Sequence, residues 1–326
     1  MTGITLRRLR QDAHIRALTR GARPHHEQFI QPLFVVEGIP GREVIPGLTG
    51  VYRDTPASLL KQIESDLAAG CSKFLLFGVP GTHSERDIDW SFTADQIAAI
   101  RKRFGKDVWI SVDVCLCSAT PHGHCGVLND SHDHLDNAAS VNELVAAALS
   151  YARAGADCVA PSDMMDGRIG AIRQALDANG LERTLLMSYA AKFHSSFYGP
   201  FRVAADSAPK GENLALADRS SYQIDPSRAN DALLSVERDV AEGADILMVK
   251  PGMPYLDILA DLSSRYAQPW AVYEVSGEYA GIELLAEQGL ANRVNAHREA
   301  WTGFVRAGAS MIISYGSRHA KEWLSQ

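Results

Sequence analysis

The stretch Ala241-Glu-Gly-Ala-Asp-Ile-Leu-Met-Val249 runs from a helical pattern through a glycine into a short apolar strand, and its build recurs. Leu67-Ala-Ala-Gly-Cys-Ser-Lys-Phe-Leu-Leu76, Ala152-Arg-Ala-Gly-Ala-Asp-Cys-Val159 and Val305-Arg-Ala-Gly-Ala-Ser-Met-Ile-Ile313 repeat it. Gly70, Gly155, Gly243 and Gly308 are read as the residue just past a helix end, where positive φ is needed and glycine adopts it without a Cβ clash. The glycines stand 85, 88 and 65 residues apart, room for about two strand–helix units each. Working outward, short apolar runs fall at 29–36, 73–79, 108–114, 158–160, 184–188, 246–249, 270–275 and 311–314. Amphipathic stretches lie between them at 56–69, 92–104, 141–153, 227–241 and 255–265. Continuous apolar strands alternating with helices imply a parallel sheet covered on both faces. Eight such units, with no Gly-x-Gly-x-x-Gly turn, predict an α/β fold, a closed (β/α)8 TIM barrel, rather than a dinucleotide-binding sheet.

The 326 residues are 46% hydrophobic and 22% charged, an ordinary globular mix that excludes a fibrous or largely disordered chain. No apolar run reaches the roughly 18 residues of a spanning helix, so no membrane role is expected. A formal net charge of −7 offers no general attraction to nucleic acid. Residues 1–28 are rich in arginine and nearly free of acids. They lack a signal-peptide core and the serines of a transit peptide, and are read as an extended N-terminal arm of a cytoplasmic protein. The catalytic barrel is then 29–326. One interval, about 189–226, shows no clear strand or long helix but carries Phe193, Phe197, Tyr198, Phe201 and Tyr222. A loop so long and so aromatic is read as a lid over the barrel mouth.

Three of the five cysteines crowd into Asp113-Val-Cys-Leu-Cys-Ser-Ala-Thr-Pro-His-Gly-His-Cys-Gly126, just past the third strand. Barrel enzymes place their catalytic groups at such strand ends. Cys115, Cys117 and Cys125 suit a soft tetrahedral Zn²⁺ site, open at its fourth position if catalytic and closed by His122 or His124 if structural. Ordinary buried thiols are the plainer alternative. Lys250 ends the apolar strand Ile246-Leu-Met-Val-Lys, and Lys192 follows the fifth strand in Ser188-Tyr-Ala-Ala-Lys-Phe. Either lysine alone could snorkel to solvent from the barrel rim. If both point inward, burial and mutual repulsion free their amines as nucleophiles toward a carbonyl. Arg202 and Arg219 in the lid have the forked geometry for a carboxylate. Ser276, Tyr315, Ser162 and Asp163 stand at other strand ends.

Together these motifs resemble the porphobilinogen synthase (5-aminolaevulinate dehydratase) family of the zinc-dependent, cysteine-rich type, over nearly the whole chain. The likeness rests on Leu6-Arg-Arg-Leu-Arg, Gln31-Pro-Leu-Phe-Val-Val-Glu-Gly, the cysteine loop and Ala160-Pro-Ser-Asp-Met-Met-Asp-Gly-Arg. It continues through Ser188-Tyr-Ala-Ala-Lys-Phe, Phe197-Tyr-Gly-Pro-Phe-Arg, Met248-Val-Lys-Pro-Gly-Met-Pro-Tyr-Leu-Asp and Val275-Ser-Gly-Glu. The resemblance implies a lyase of haem biosynthesis that condenses two 5-aminolaevulinate molecules into porphobilinogen with loss of water. It assigns Schiff bases to Lys192 and Lys250, and a catalytic zinc to Cys115, Cys117 and Cys125 that polarises the first substrate. One substrate carboxylate falls to Arg202 and Arg219 with Gln223, the other to Ser276 and Tyr315. Asp113, Ser162 and Tyr198 become polar groups around the amines. It also implies a homo-octamer in which the arm wraps a neighbouring barrel. Many bacterial relatives hold a regulatory Mg²⁺ on a glutamate fifteen residues before the second lysine. Here that position is Ser235, so no regulatory Mg²⁺ is expected, and Glu237 lies on another helix face. The sequence departs from the family at Ala119, usually aromatic, and at His194 and Ser195, where Ala-Ser is common. A class I aldolase needs only one of the lysines and no thiolate metal. A zinc-storage or redox protein needs only the cysteines. The second lysine and the arginine pair weigh against both.

Overall fold

A computed structural model describes residues 6–209 and 216–325. Eight parallel strands close on themselves: β1 (Phe29–Val36), β2 (Lys73–Val79), β3 (Trp109–Val114), β4 (Cys158–Pro161), β5 (Leu185–Lys192), β6 (Ile246–Lys250), β7 (Trp270–Tyr273) and β8 (Met311–Ile313). They pair in chain order, and Phe29 and Ile30 of β1 meet Ile312 and Ile313 of β8 to complete the barrel. The outer ring is α1 (Pro56–Ala68), α2 (Ser91–Phe104), α3 (Asn137–Arg153), α4 (Arg168–Ala178), α5 (Ala229–Ala241), α6 (Leu256–Arg265), α7 (Ser276–Glu287) and α8 (Arg293–Arg306). Among the described residues no helix is long and apolar enough to cross a membrane.

The strands are apolar without a break because both faces are buried. In β2, Phe74 and Leu76 belong to the layer beneath the helices, whereas Leu75 and Phe77 belong to a second cluster with Ile30, Phe34, Met187, Met248 and Ile313. That second cluster fills the barrel, as period-two alternation demands. Each repeated glycine ends a helix in the expected way. Gly70, Gly155, Gly243 and Gly308 have φ of +91°, +104°, +95° and +105°. At each, the next residue's N–H reaches back across the turn, as from Cys71 to Asp66 O at 2.8 Å and from Ala244 to Asp239 O at 3.0 Å. This is the Schellman closure of a helix end. In two copies the following aspartate then fixes the neighbouring strand: Ile110 N–H donates to Asp157 and Leu186 N–H to Asp245, both at 2.8 Å.

Two boundaries differ from expectation in ways that matter below. The fifth strand continues through Lys192 instead of stopping at 188, so the irregular interval opens at Phe193. It includes a short helix, Gly199–Ala204, and residues 210–215 of the expected lid lie outside the described residues. The seventh strand stops at Tyr273, because Ser276 already begins α7. In the arm, residues 1–5 lie outside the described residues, and Leu6, Leu9 and Leu18 are exposed.

Candidate active site

The C-terminal ends of β3 to β8 gather the chemistry. Lys192 and Lys250 are Cα partners on adjacent strands, and each is 4% exposed. Their pairing depends on an irregularity. Ile246 and Leu247 pair with Met187 and Ser188, but Val249 and Lys250 pair with Ala191 and Lys192, so β5 carries one extra residue. Tyr189 faces the barrel interior, Ala190 and Ala191 both belong to the outer layer, and Lys192 shares the face of Lys250. Strict alternation from Tyr189 would send Lys192 toward the helices. The β-bulge turns it inward.

The two amines have different surroundings. Lys192 Nζ donates to the carbonyl of Ser162, so it is the backbone of Ser162 that meets it. Lys250 Nζ lies among aromatic rings, 4.2 Å from the centroid of Tyr273, 5.0 Å from Tyr189 and Phe201 and 5.4 Å from Tyr198. Burial first, and the Lys192 charge second, push its ammonium down to about 7, against the pull of Asp113. Tyr198 OH donates to Phe193 O at 2.8 Å and Lys250 O at 3.4 Å, joining the ends of both lysine strands. Asp113 is pushed up by burial, and its Oδ1 has no hydrogen-bond partner among the described residues.

The sulphurs of Cys115, Cys117 and Cys125 lie within 4.8 Å of one another, the first two 3.3 Å apart. Hydrogen bonds from the other two thiols hold Cys125 well below the usual thiol range, with Arg219 adding a positive charge. No carboxylate or imidazole joins this group among the described residues. His124 is engaged elsewhere, Nε2 with Leu216 O at 2.9 Å and Nδ1 with Tyr222 OH at 3.3 Å, and His122 Nδ1 accepts the His124 N–H at 3.0 Å. A set of three sulphurs with no oxygen donor fits a soft, thiophilic cation such as Zn²⁺ and not a hard one.

The irregular segment after β5 supplies cations and amides. Arg219, 3% exposed, donates to Gly123 O at 3.1 Å and Ser207 O at 2.5 Å, bridging the cysteine loop and the segment after β5. The Nε atoms of Arg202 and Arg219, and both amide atoms of Gln223, are buried with no hydrogen-bond partner among the described residues. Burial first and the neighbouring Arg219 second push Arg202 down, against the pull of Tyr222 and Asp218. On the opposite side Tyr315 OH lies 3.3 Å from Tyr273 OH. Ser276 Oγ donates to Phe197 O at 3.2 Å and accepts from Phe201 N–H at 3.0 Å, so its hydroxyl is bound to the backbone of the segment after β5 here. Tyr189, Tyr273 and Phe201 surround the Lys250 amine without having been expected there from the sequence. The inward parity of the two tyrosines is the signal that finds them.

The family model of delta-aminolevulinic acid dehydratase matches residues 4–323. The delta-aminolevulinic acid dehydratase of Bacillus subtilis (strain 168) is 38% identical over 326 residues, covering 98% of each chain. That of Helicobacter pylori (strain J99) is 42% identical over 323 residues, covering 97% of this chain and 96% of its own. Among solved structures, the enzyme of Toxoplasma gondii in complex with the reaction product porphobilinogen superimposes with a TM-score of 0.93 at 36% identity, covering 98% of this chain and 91% of that one.

Proposed function

The chain belongs to the delta-aminolevulinic acid dehydratase family of hydro-lyases, and on that premise we propose that it condenses two 5-aminolaevulinate molecules into porphobilinogen through Schiff bases on Lys192 and Lys250. The observation that carries this reading is the pairing of two buried lysines beside a three-sulphur cluster. An amine that is neutral part of the time near pH 7 attacks a ketone, and loss of water leaves a protonated imine, an electron sink. Loss of a neighbouring proton gives an enamine, which attacks the second substrate held alongside. Fixing both on adjacent strands makes a bimolecular condensation effectively intramolecular. Buried donors without hydrogen-bond partners among the described residues on Arg202, Arg219 and Gln223 support a carboxylate-binding role, since a buried polar group is costly until it is paired. Tyr315 and Ser276 take the second carboxylate, Ser276 turning its donated hydrogen bond from Phe197 O to the ligand while still accepting the Phe201 N–H. Asp113, Ser162 and Tyr198 keep the amines in place.

Cys115, Cys117 and Cys125 would hold zinc, which supplies Lewis acidity near the first substrate. A regulatory Mg²⁺ is not part of this reading. Ser235 Oγ already receives Arg238 at 3.2 Å, and that guanidinium also meets Asp166, Asp239 and Glu242, so a cation of the protein occupies the spot. Glu237 is exposed and directed toward Tyr266. The arm, 1–28, is assigned to contacts within a cytoplasmic homo-octamer and the segment about 189–226 to the lid. Pyrrole formation by the purified protein tests the assignment. Turnover should stop on chelation and return with zinc but not Mg²⁺, while the melting transition persists. Loss of the fold with the metal would make the site structural, and pyrrole formation at full rate without metal would remove zinc from the reaction.

A further inference from the structure

We propose that Glu278 is a positioning residue: it ties the loop after Lys250 to the turn carrying Ser276, and the lid segment docks on the joined unit. This deepens the double-imine reading and rests on it. Glu278, the third residue of α7, is 2% exposed. Its Oε2 accepts the N–H of Val275 at 2.6 Å and of Gly252 at 3.2 Å, and its Oε1 accepts the N–H of Met253 at 2.5 Å. Gly252 lies two residues beyond Lys250, and Val275 immediately precedes Ser276. One carboxylate thereby holds the ends of two neighbouring strands through three backbone amides.

The same turn grips the lid. Ser276 Oγ bonds the backbone of Phe197 and Phe201. At Gly277 a Cβ would lie 2.7 Å from Phe197 O and 2.8 Å from its Cα, so only glycine permits this approach. Phe201 then brings its ring to 5.0 Å from Lys250 Nζ. Ser276, Gly277 and Glu278 thus connect the lid to the Lys250 loop within three residues, and lid docking and placement of the Lys250 amine become one event. Lys192 is anchored separately, on the Ser162 carbonyl.

Glutamine is the informative replacement, because both Glu278 oxygens accept backbone N–H groups. Glu278→Gln keeps the shape but faces one of those N–H groups with a second donor. Gly277→Ala disturbs lid docking and leaves the carboxylate intact. Each zinc-loaded full-length variant is treated with 5-aminolaevulinate and borohydride, the adducts at the two lysines are quantified by peptide mass spectrometry, and kcat and KM are measured. In Glu278→Gln the Lys250 adduct should fall at least tenfold with the Lys192 adduct within twofold of the parent, and kcat should fall at least tenfold. Gly277→Ala should show the same selective loss, and it decides alone if Glu278→Gln does not melt cooperatively. Equal losses at both lysines, or no loss at either, would overturn the proposal. A parent protein that traps nothing at either lysine would instead overturn the double-imine reading, and the proposal with it.

Discussion

At the scale of the residue, the amine of Lys250 is held where its charged form is disfavoured. Its folded value, about 7, lies below the ordinary 10.5, so the penalty on the folded state is complete below pH 7 and fades as pH rises toward 10.5. Lys250→Met, an apolar chain of similar length, should therefore leave the protein at least as stable in urea near neutral pH, by roughly 1–4 kcal/mol. Turnover should fall at least about a hundredfold, nearly 3 kcal/mol of barrier. Lys250→Arg should do no better in turnover, since a guanidinium stays charged and forms no imine. A Met variant less stable than its parent would show that the ammonium supports the fold. Lys250 was legible in the sequence because a charge ending an apolar run is conspicuous. Of the rings around it, Tyr198 was legible from its motif, whereas Tyr189 and Tyr273 sit in ordinary strands and Phe201 in the irregular segment after β5, and only closure of the barrel brings them together.

At the scale of the element, the extra residue in β5 sets the direction of Lys192. Deleting Ala190 would remove the extra residue and restore the two-residue alternation, with Tyr189 inward, Ala191 outward and Lys192 still inward opposite Lys250. The prediction is an intact far-UV spectrum and retained zinc binding, with imine trapping at Lys192 within about twofold of the parent. A loss of trapping at Lys192 of about tenfold or more would mean that the alternation does not aim this side chain. A bulge is a property of two strands in register, which is why the sequence of one strand places Lys192 beyond its end. The four helix-ending glycines were readable for the opposite reason, since positive φ is a demand made within a few residues. The helices α7 and α8 were harder to see because their buried faces carry Glu278, Glu283 and His297 among the apolar positions.

At the scale of the whole molecule, those buried charges lock the closing strands of the barrel. His297 on α8 meets Glu274 at 3.3 Å and Glu283 at 3.1 Å, and Glu274 also accepts from Trp301 and Ser314. Burial pushes the imidazole down, but the two carboxylates outweigh it and raise the group to about 9. A folded value above the ordinary 6.5 adds stability that is complete below pH 6.5 and is lost as pH rises through 9, on the order of 3 kcal/mol. Because Lys250 adds an opposite slope above pH 7, the decline is read in urea unfolding as the difference between the parent and His297→Gln: the parent's advantage should shrink between pH 6.5 and 9, and an advantage that stays constant or grows would remove the charged imidazole from the account. Neither the closed barrel nor this lock bears on the reaction as directly as the two lysines do. The measurement that tests the central claim is borohydride reduction of the zinc-loaded protein with 5-aminolaevulinate, followed by peptide mass spectrometry. The account predicts reduced substrate adducts on both Lys192 and Lys250. An adduct on one of them alone, or on exposed lysines only, would contradict it.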